Sequence, residues 1–328
     1  MKKIFALIFF LFLFIGCSHW LGQNGQRVPE KKGVQIPKEA GEYPKVFEKD
    51  ILRGTLSPFR SCYDVTSYDL SVKLNIEEKS ITGNCQIKAI AQNNFDTLQI
   101  DLFENMDIVS ILKNGKDLSY YRRHNAIFIE IPEMIKDTLF EITIQYEGVP
   151  EEAKNPPWDG GFIWHEDKNE TPFIGVACEG TGASLWWPNK DHPSDEPDSM
   201  RLHITVPDTL IAIGNGKLES RNLVDSMVTY TWLIKNPINN YNITLNVGDY
   251  IEIIDTLINS SGEHKLNHYV LSYNEETALR HFSQAREVIH FFEKVFGEYP
   301  FWKDGYKLVE TPYAGMEHQS AIAYGNGY

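Results

Sequence analysis

Cysteine is scarce. Four occur among 328 residues, at positions 17, 62, 85 and 178. Their spacing selects no disulfide framework and no zinc cluster, so buried thiols are the default for the last three. The chain has no H-E-x-x-H, no G-x-S-x-G, no phosphate-binding P-loop and no dinucleotide fingerprint. A self-contained zinc helix, a serine nucleophile elbow and a nucleotide cradle are therefore excluded within this stretch. The ten histidines are scattered. His281 and His290 share a predicted helix but miss the i, i+4 spacing that two metal ligands on one helix favour. Positive charge is in deficit, with 31 Lys and Arg against 45 Asp and Glu, a formal net charge of -14. That balance disfavours nucleic acid or an anionic bilayer as an electrostatic partner. No apolar run reaches the roughly 20 residues that span a bilayer.

What apolar run there is lies at the start. Lys2 and Lys3 precede Ile4 to Ile15, and Gly16-Cys17 follows. These are the flanks and length of an export signal. L-F-I-G-C resembles a bacterial lipobox. Residues 1–17 are therefore expected to be a lipoprotein signal peptide, cleaved before Cys17 with lipid added to its sulfur. The chain would then be exported and held on a bacterial envelope membrane. An ordinary signal peptide or an uncleaved anchor is the alternative. Residues 18–54, rich in Gly, Lys, Glu and Pro, read as a tether with a short docking segment around Val46 to Leu52.

From 55 to 271 the pattern has period two. Tyr68, Leu70, Val72 and Leu74 alternate with Asp69, Ser71 and Lys73, a half-buried strand. Further strands are expected at Ile81–Ala91, Leu98–Leu102, Ile108–Lys113, Ala126–Ile131 and Leu139–Tyr146. Asn114-Gly115 gives a tight hairpin turn. After them come Met200–Val206, Leu210–Gly214, Val228–Lys235, Asn242–Val247, Tyr250–Leu257 and Lys265–Leu271. Pro150 to Pro197 interrupts this run with four tryptophans (Trp158, Trp164, Trp186, Trp187) among turn residues, and reads as a long aromatic-pinned loop. At its end Asp195, Glu196 and Asp198 form an acidic cluster, read as a solvated loop that could alternatively hold calcium. The sum is a mainly β, antiparallel sandwich or twisted sheet.

At Tyr273 the period changes. Leu279, Phe282, Ala285, Val288-Ile289, Phe292 and Val295-Phe296 recur at three and four, which predicts a helix ended by Gly297 and Pro300. Asn274 is the expected cap, with Glu275 and Glu276 in the first turn. Residues 272–328 read as the start of a second, incomplete domain.

The last segment carries the candidate chemistry. Tyr306 to Tyr324 reads as a strand up to Pro312, then places Glu317 among small residues. An extended edge with a central carboxylate can dock a peptide backbone and hold its positive amino end. A surface strand with an ordinary solvated Glu is the alternative. Ala314-Gly315-Met316-Glu317-His318 resembles the G-A/G-M-E-N exopeptidase motif of the aminopeptidase N-like zinc metallopeptidases, the family that includes leukotriene A hydrolase. His318 stands where Asn is usual, and Ala314 where the first Gly is usual. The segment from Glu179 through Ser184 and Trp187-Pro188 resembles that family's Q-x-E…F-P segment, with Glu179 matching its Glu. Ala177 replaces the usual Gln, and Asn189 the usual Cys. Ile213-Gly214-Asn215-Gly216 is similar to its S-N-G turn.

The resemblance covers roughly residues 55–328. It implies a large saddle-like antiparallel β-sandwich followed by the truncated start of an α/β thermolysin-like catalytic domain. It implies a zinc aminopeptidase that removes N-terminal residues from peptides. Glu179 and Glu317 would hold the substrate α-amine, and Ala314, Gly315, Met316 and His318 would line its backbone. It also implies that zinc belongs to the full-length protein, with H-E-x-x-H and the remaining ligand beyond Tyr328. The chain itself would then bind no zinc, carry no catalytic residue and be inactive without its missing C-terminal segment. The expected partner is a peptide with a free N-terminus. A non-catalytic β module that binds peptides or a surface partner is the alternative, and an epoxide hydrolase of the same fold is a third reading.

Overall fold

The computed structural model of the chain describes residues 45–325, 327 and 328. The expected leader, Cys17 and most of the tether lie outside the described residues. Val46–Tyr328 forms one unit, described here by itself.

The strands follow in chain order. β1 is Tyr63–Asn75, β2 Ser80–Ala91, β3 Phe95–Asp101, β4 Met106–Lys113, β5 Lys116–Asp117 and β6 Tyr120–Arg123. β7 is Ala126–Met134, β8 Leu139–Gly148, β9 Gly161–Glu166, β10 Pro172–Ala177, β11 Ser199–Pro207 and β12 Ile211–Gly214. β13 is Lys217–Val224, β14 Met227–Ile234, β15 Leu245–Gly248, β16 Tyr250–Asn259, β17 Gly262–Leu271, β18 Leu308–Glu310 and β19 Ile322–Tyr324. Among the described residues three α-helices join them: α1 (Glu48–Gly54), α2 (Pro58–Ser61) and α3 (Glu275–Phe296).

The main sheet has eight strands in the order β13-β14-β11-β1-β2-β8-β4-β5. Alternation sets its faces: Tyr68, Leu70, Val72 and Leu74 are buried while Lys73 is exposed. Most neighbours are antiparallel, but β1 and β11 run parallel, Leu70 opposite Leu202. A sheet antiparallel throughout was expected. The parallel pair arises because a long excursion, Ser80 to Pro197, returns the chain to the same end of the sheet. A three-stranded sheet (β3-β7-β6) and a four-stranded sheet (β12-β15-β10-β9) accompany it. The Asn114-Gly115 turn closes the β4–β5 hairpin, with Lys113 opposite Lys116.

The tryptophan-rich stretch is more than a loop. β9 and β10 lie inside it as a hairpin, His165 opposite Phe173. Trp186 and Trp187 are fully buried, and Trp187 meets Tyr68 edge-on at 4.9 Å. Each such ring removes roughly 200 Å² from water. Trp158, by contrast, is exposed. The acidic cluster is not a solvated loop at Asp195, which is buried and paired with Lys190 at 2.6 Å while accepting the Val65 amide. Cys62, Cys85 and Cys178 are free and buried.

The expected docking segment is the helix α1. Glu48 and Asp50 occupy its first turn and Arg53 its last, and Asp50 accepts the Phe47 amide. It buries no side chain.

One sheet holds strands from both sides of the boundary expected at 271/272. β16 and β17 pair with each other and then, through β17, run parallel to β18 and β19 in one mixed sheet. That sheet therefore begins at Tyr250, ahead of the helix. α3 lays Ala278, Phe282, Ala285 and Ile289 on it, against Ile253, Val270, Leu257 and Leu266. Gly297 ends α3 as expected. Asn274 does not cap through its side chain; its amide is drawn instead to Glu310, which also accepts the Leu271 amide.

Candidate functional site

Residues 313–320 form a shaped connection between β18 and β19, not the regular strand expected. Met316 alone makes a bridge, exchanging both backbone hydrogen bonds with Ala323. Met316 and Tyr313 are buried with Ile163, Ala177 and Ala323 in a small apolar cluster. Tyr313 fits because residue 175 is glycine: a Cβ there would lie 2.7 Å from its ring. Tyr313 is thus a packing residue. Glu317 follows Met316 by one position and points the other way, into solvent.

The next residues are pinned. Asn215, fully buried, donates to the carbonyls of Gln319 (2.7 Å) and Asn242 (2.9 Å) and accepts the Thr244 amide. The Gln319 amide donates to Asn242 Oδ1, and the Gly216 amide to Ser320 Oγ. The turn Gly214-Asn215-Gly216 thus acts as a backbone clamp on the segment carrying Glu317.

Glu179 lies just past β10, in an exposed turn. The Thr181 amide donates to the Glu179 carbonyl and the Gly182 amide to that of Cys178. Gly182 has φ +96°, and a Cβ there would lie 2.3 Å from Asp191 Oδ2. The same carboxylate accepts the Ser184 amide and hydroxyl, so only glycine fits.

A short 3-10 turn, Asn240–Asn242, links the two acids. The Tyr241 carbonyl accepts the Cys178 thiol, next to Glu179. Asn242 holds Gln319, two residues from Glu317. Between these contacts the Tyr241 hydroxyl donates to Glu317 Oε1 at 3.2 Å. Its pKa is raised, first by burial, then by the negative charge of Glu317 and, further off, of Glu179. Both carboxylates therefore act on one hydroxyl. Tyr241 was not singled out by the sequence, where it is one aromatic residue in N-N-Y-N.

The other motif residues divide. Gly315 is exposed and Ala314 partly so. Met316 and His318 are buried, so their side chains are closed to a ligand. Neither ring nitrogen of His318 has a hydrogen-bond partner among the described residues, and burial pushes its pKa down to about 3. Tyr324 donates to His281 at 2.7 Å or to the Gly327 carbonyl, a packing role.

No group of three or more His, Cys, Asp or Glu among the described residues is placed to hold a metal ion. The described side chains therefore do not fit a zinc centre. A cavity of about 410 Å³ opens elsewhere, lined by Trp232, Tyr269, Trp302 and Lys307. Neither Glu179 nor Glu317 lines it, so cavity size does not mark the carboxylate pair.

This β architecture defines the class of fold: that of a metallopeptidase N-terminal β domain. The Peptidase M1 N-terminal domain family matches residues 65–241, and the chain belongs to that family. It is similar in fold to the M1 zinc metallopeptidase from Deinococcus radiodurans, at 18% identity and a TM-score of 0.67. The match covers 80% of this chain and 60% of that one. A mutant of that enzyme bound to a Tyr-Ser-Ala substrate matches at 18% identity and 0.66 over the same shares. A two-domain M1 zinc metallopeptidase mutant bound to L-tryptophan matches at 17% and 0.67, again with 80% and 60% covered. The chain thus spans about three fifths of these structures. No curated protein matches it.

Proposed function

We propose that the chain is the amine-recognising part of a zinc aminopeptidase, with Glu179 and Glu317 holding the α-ammonium of a peptide. The observation that supports this reading is the Tyr241 hydroxyl, bonded to Glu317 and within the field of Glu179. Two exposed carboxylates whose charges both reach this hydroxyl would make a charge-assisted acceptor for a cation. Tyr241 keeps Glu317 oriented when no cation is present. The exposed backbone at Ala314 and Gly315 would run beside the first peptide unit. Counting from the amine would then fix which peptide bond is presented. Hydrolysis and zinc belong in this reading to residues other than those described, and no step here runs through the metal.

The test uses the complete gene product with alanine 4-nitroanilide and its N-acetyl form. Cleavage of the free amine alone, with the constant kcat/KM lowered about 100-fold or more by Glu317→Gln, is the expected result; it reflects loss of a charge-assisted contact to the bound amine of about 3 kcal/mol. Equal cleavage of the acetylated form would overturn amine recognition. Binding without cleavage would move the chain to a non-catalytic peptide module. Lipidation at Cys17 belongs to the same reading, on sequence grounds alone. Metabolic labelling with palmitate, lost on Cys17→Ala, is its test.

A further inference from the structure

The segment ahead of the family-matched region reaches the proposed amine site. One guanidinium nitrogen of Arg53, in the last turn of α1, donates to the carbonyls of both Gly180 and Thr181, the latter at 2.6 Å. These carbonyls follow Glu179 directly. The turn that carries Glu179 closes on itself with only two backbone hydrogen bonds, from Thr181 to Glu179 and from Gly182 to Cys178. Arg53 adds the outer hold.

α1 can transmit that hold only if it is fixed, and it buries no side chain of its own. Polar groups of the β unit fix it. Gln99 Nε2 donates to the Leu52 carbonyl at 3.1 Å, and Arg60 Nη1 donates to those of Arg53 and Thr55 at 2.8 and 2.9 Å. Glu48 pairs with Arg123 at the other end of the helix. Arg60 is itself fully buried and paired with Asp101 at 2.6 Å. Asp101 accepts the Asp191 amide, and Asp191 accepts Ser184. The helix and the far end of the Glu179 loop thus hang from one buried pair, Arg60 and Asp101.

We infer that Arg53 is a positioning residue for Glu179, and that α1 is a polar latch setting how firmly the β unit presents that carboxylate. The inference rests on the proposed amine site but concerns a contact outside it. Charge makes the contact specific. A cationic donor to two carbonyls is stronger than a neutral one, and Lys can replace part of it while Ala cannot.

The experiment is amide hydrogen exchange on the full chain carrying Arg53→Ala or Arg53→Lys. In Arg53→Ala, exchange at Thr181 and Gly182 should rise about tenfold or more, the size of a lost charge-assisted hydrogen bond, while β1 and β2 stay at wild-type rates. Arg53→Lys should recover part of the protection. Unchanged exchange at 181–182, or a rise of equal size throughout the sheet, overturns the latch. In the complete gene product, Arg53→Ala should raise KM for alanine 4-nitroanilide about fivefold or more with kcat nearly unchanged, since a loosened Glu179 weakens ground-state holding of the amine. If Glu179→Gln raises KM and Arg53→Ala does not, the latch fails and the amine site stands. If Glu179→Gln leaves KM unchanged, the amine site itself fails.

Discussion

His318 offers the sharpest test of how the Glu317 segment is built. Its ring is fully buried without a hydrogen-bond partner among the described residues, and its pKa falls from 6.5 to about 3. Desolvation is the cause, because burial penalises the imidazolium. The folded chain therefore keeps His318 neutral where the unfolded chain protonates it. Below pH 6.5 the unfolded state binds the extra proton, so stability falls as pH falls, by about 1.4 kcal/mol per pH unit, until the folded pKa is reached. Between pH 6.5 and 5.0 the cost is about 2 kcal/mol. His318→Leu removes it and leaves no polar atom unpaired. The variant should be more stable than wild type by about 1 kcal/mol at pH 7 and by about 3 kcal/mol at pH 5. Urea denaturation followed by tryptophan fluorescence at the two pH values measures this. The difference between variant and wild type isolates one group. His268, which burial lowers to about 4, cancels, as does Asp101, which burial raises to about 6 and which titrates with the opposite sign. An equal advantage at pH 7 and pH 5 would refute the reasoning.

Tyr241→Phe should leave folding unchanged within about 1 kcal/mol, since its hydroxyl bond is exposed, while raising KM of the complete gene product several-fold; an unaltered KM would place Tyr241 outside amine binding. Asn215→Ala strips partners from one amide and two carbonyls, so a loss of about 3 kcal/mol is expected in chemical denaturation, with faster amide exchange at Gln319. Arg60→Met leaves Asp101 buried without its cation and should cost about 3 kcal/mol at pH 7, with part of that recovered in the double variant with Asp101→Asn. Additive losses in that pair would argue against the ion pair as the link between α1 and the Glu179 loop.

Much of the sheet was legible because period two survives wherever one face is buried. β2, β4, β8 and β11 extend the expected spans by one or two residues at most at either end, and β1 starts at Tyr63, ahead of the expected Tyr68. β13 escaped because nearly all of it is exposed, so no alternation marks it; pairing with β14 supplies its order instead. β9 and β10 escaped because Gly, Pro and Trp around them signal a loop, although F-I-W and F-I-G-V are strand-like in themselves. That β16 and β17 share a sheet with β18 and β19 was not legible, because period two tells a strand from a helix but not which sheet it joins. Asn274 kept its place at the helix start but spends its amide on Glu310, a competition that only the folded chain brings about. At the site, resemblance marked the two glutamates. Tyr241 carries no local signal, since its role comes from lying between segments 138 residues apart in sequence, Glu179 and Glu317.

The parallel seam at the centre of the large sheet has a consequence for biosynthesis. Ser67 pairs with Ser199, 132 residues later. At about 5–20 residues per second, a ribosome needs roughly 7–26 s to make that interval. Throughout it the first hairpin waits with one side uncovered, and no shorter nascent chain can complete the sheet. The module therefore matures late and all at once, which makes the β1 edge the natural landing place for a holdase during synthesis.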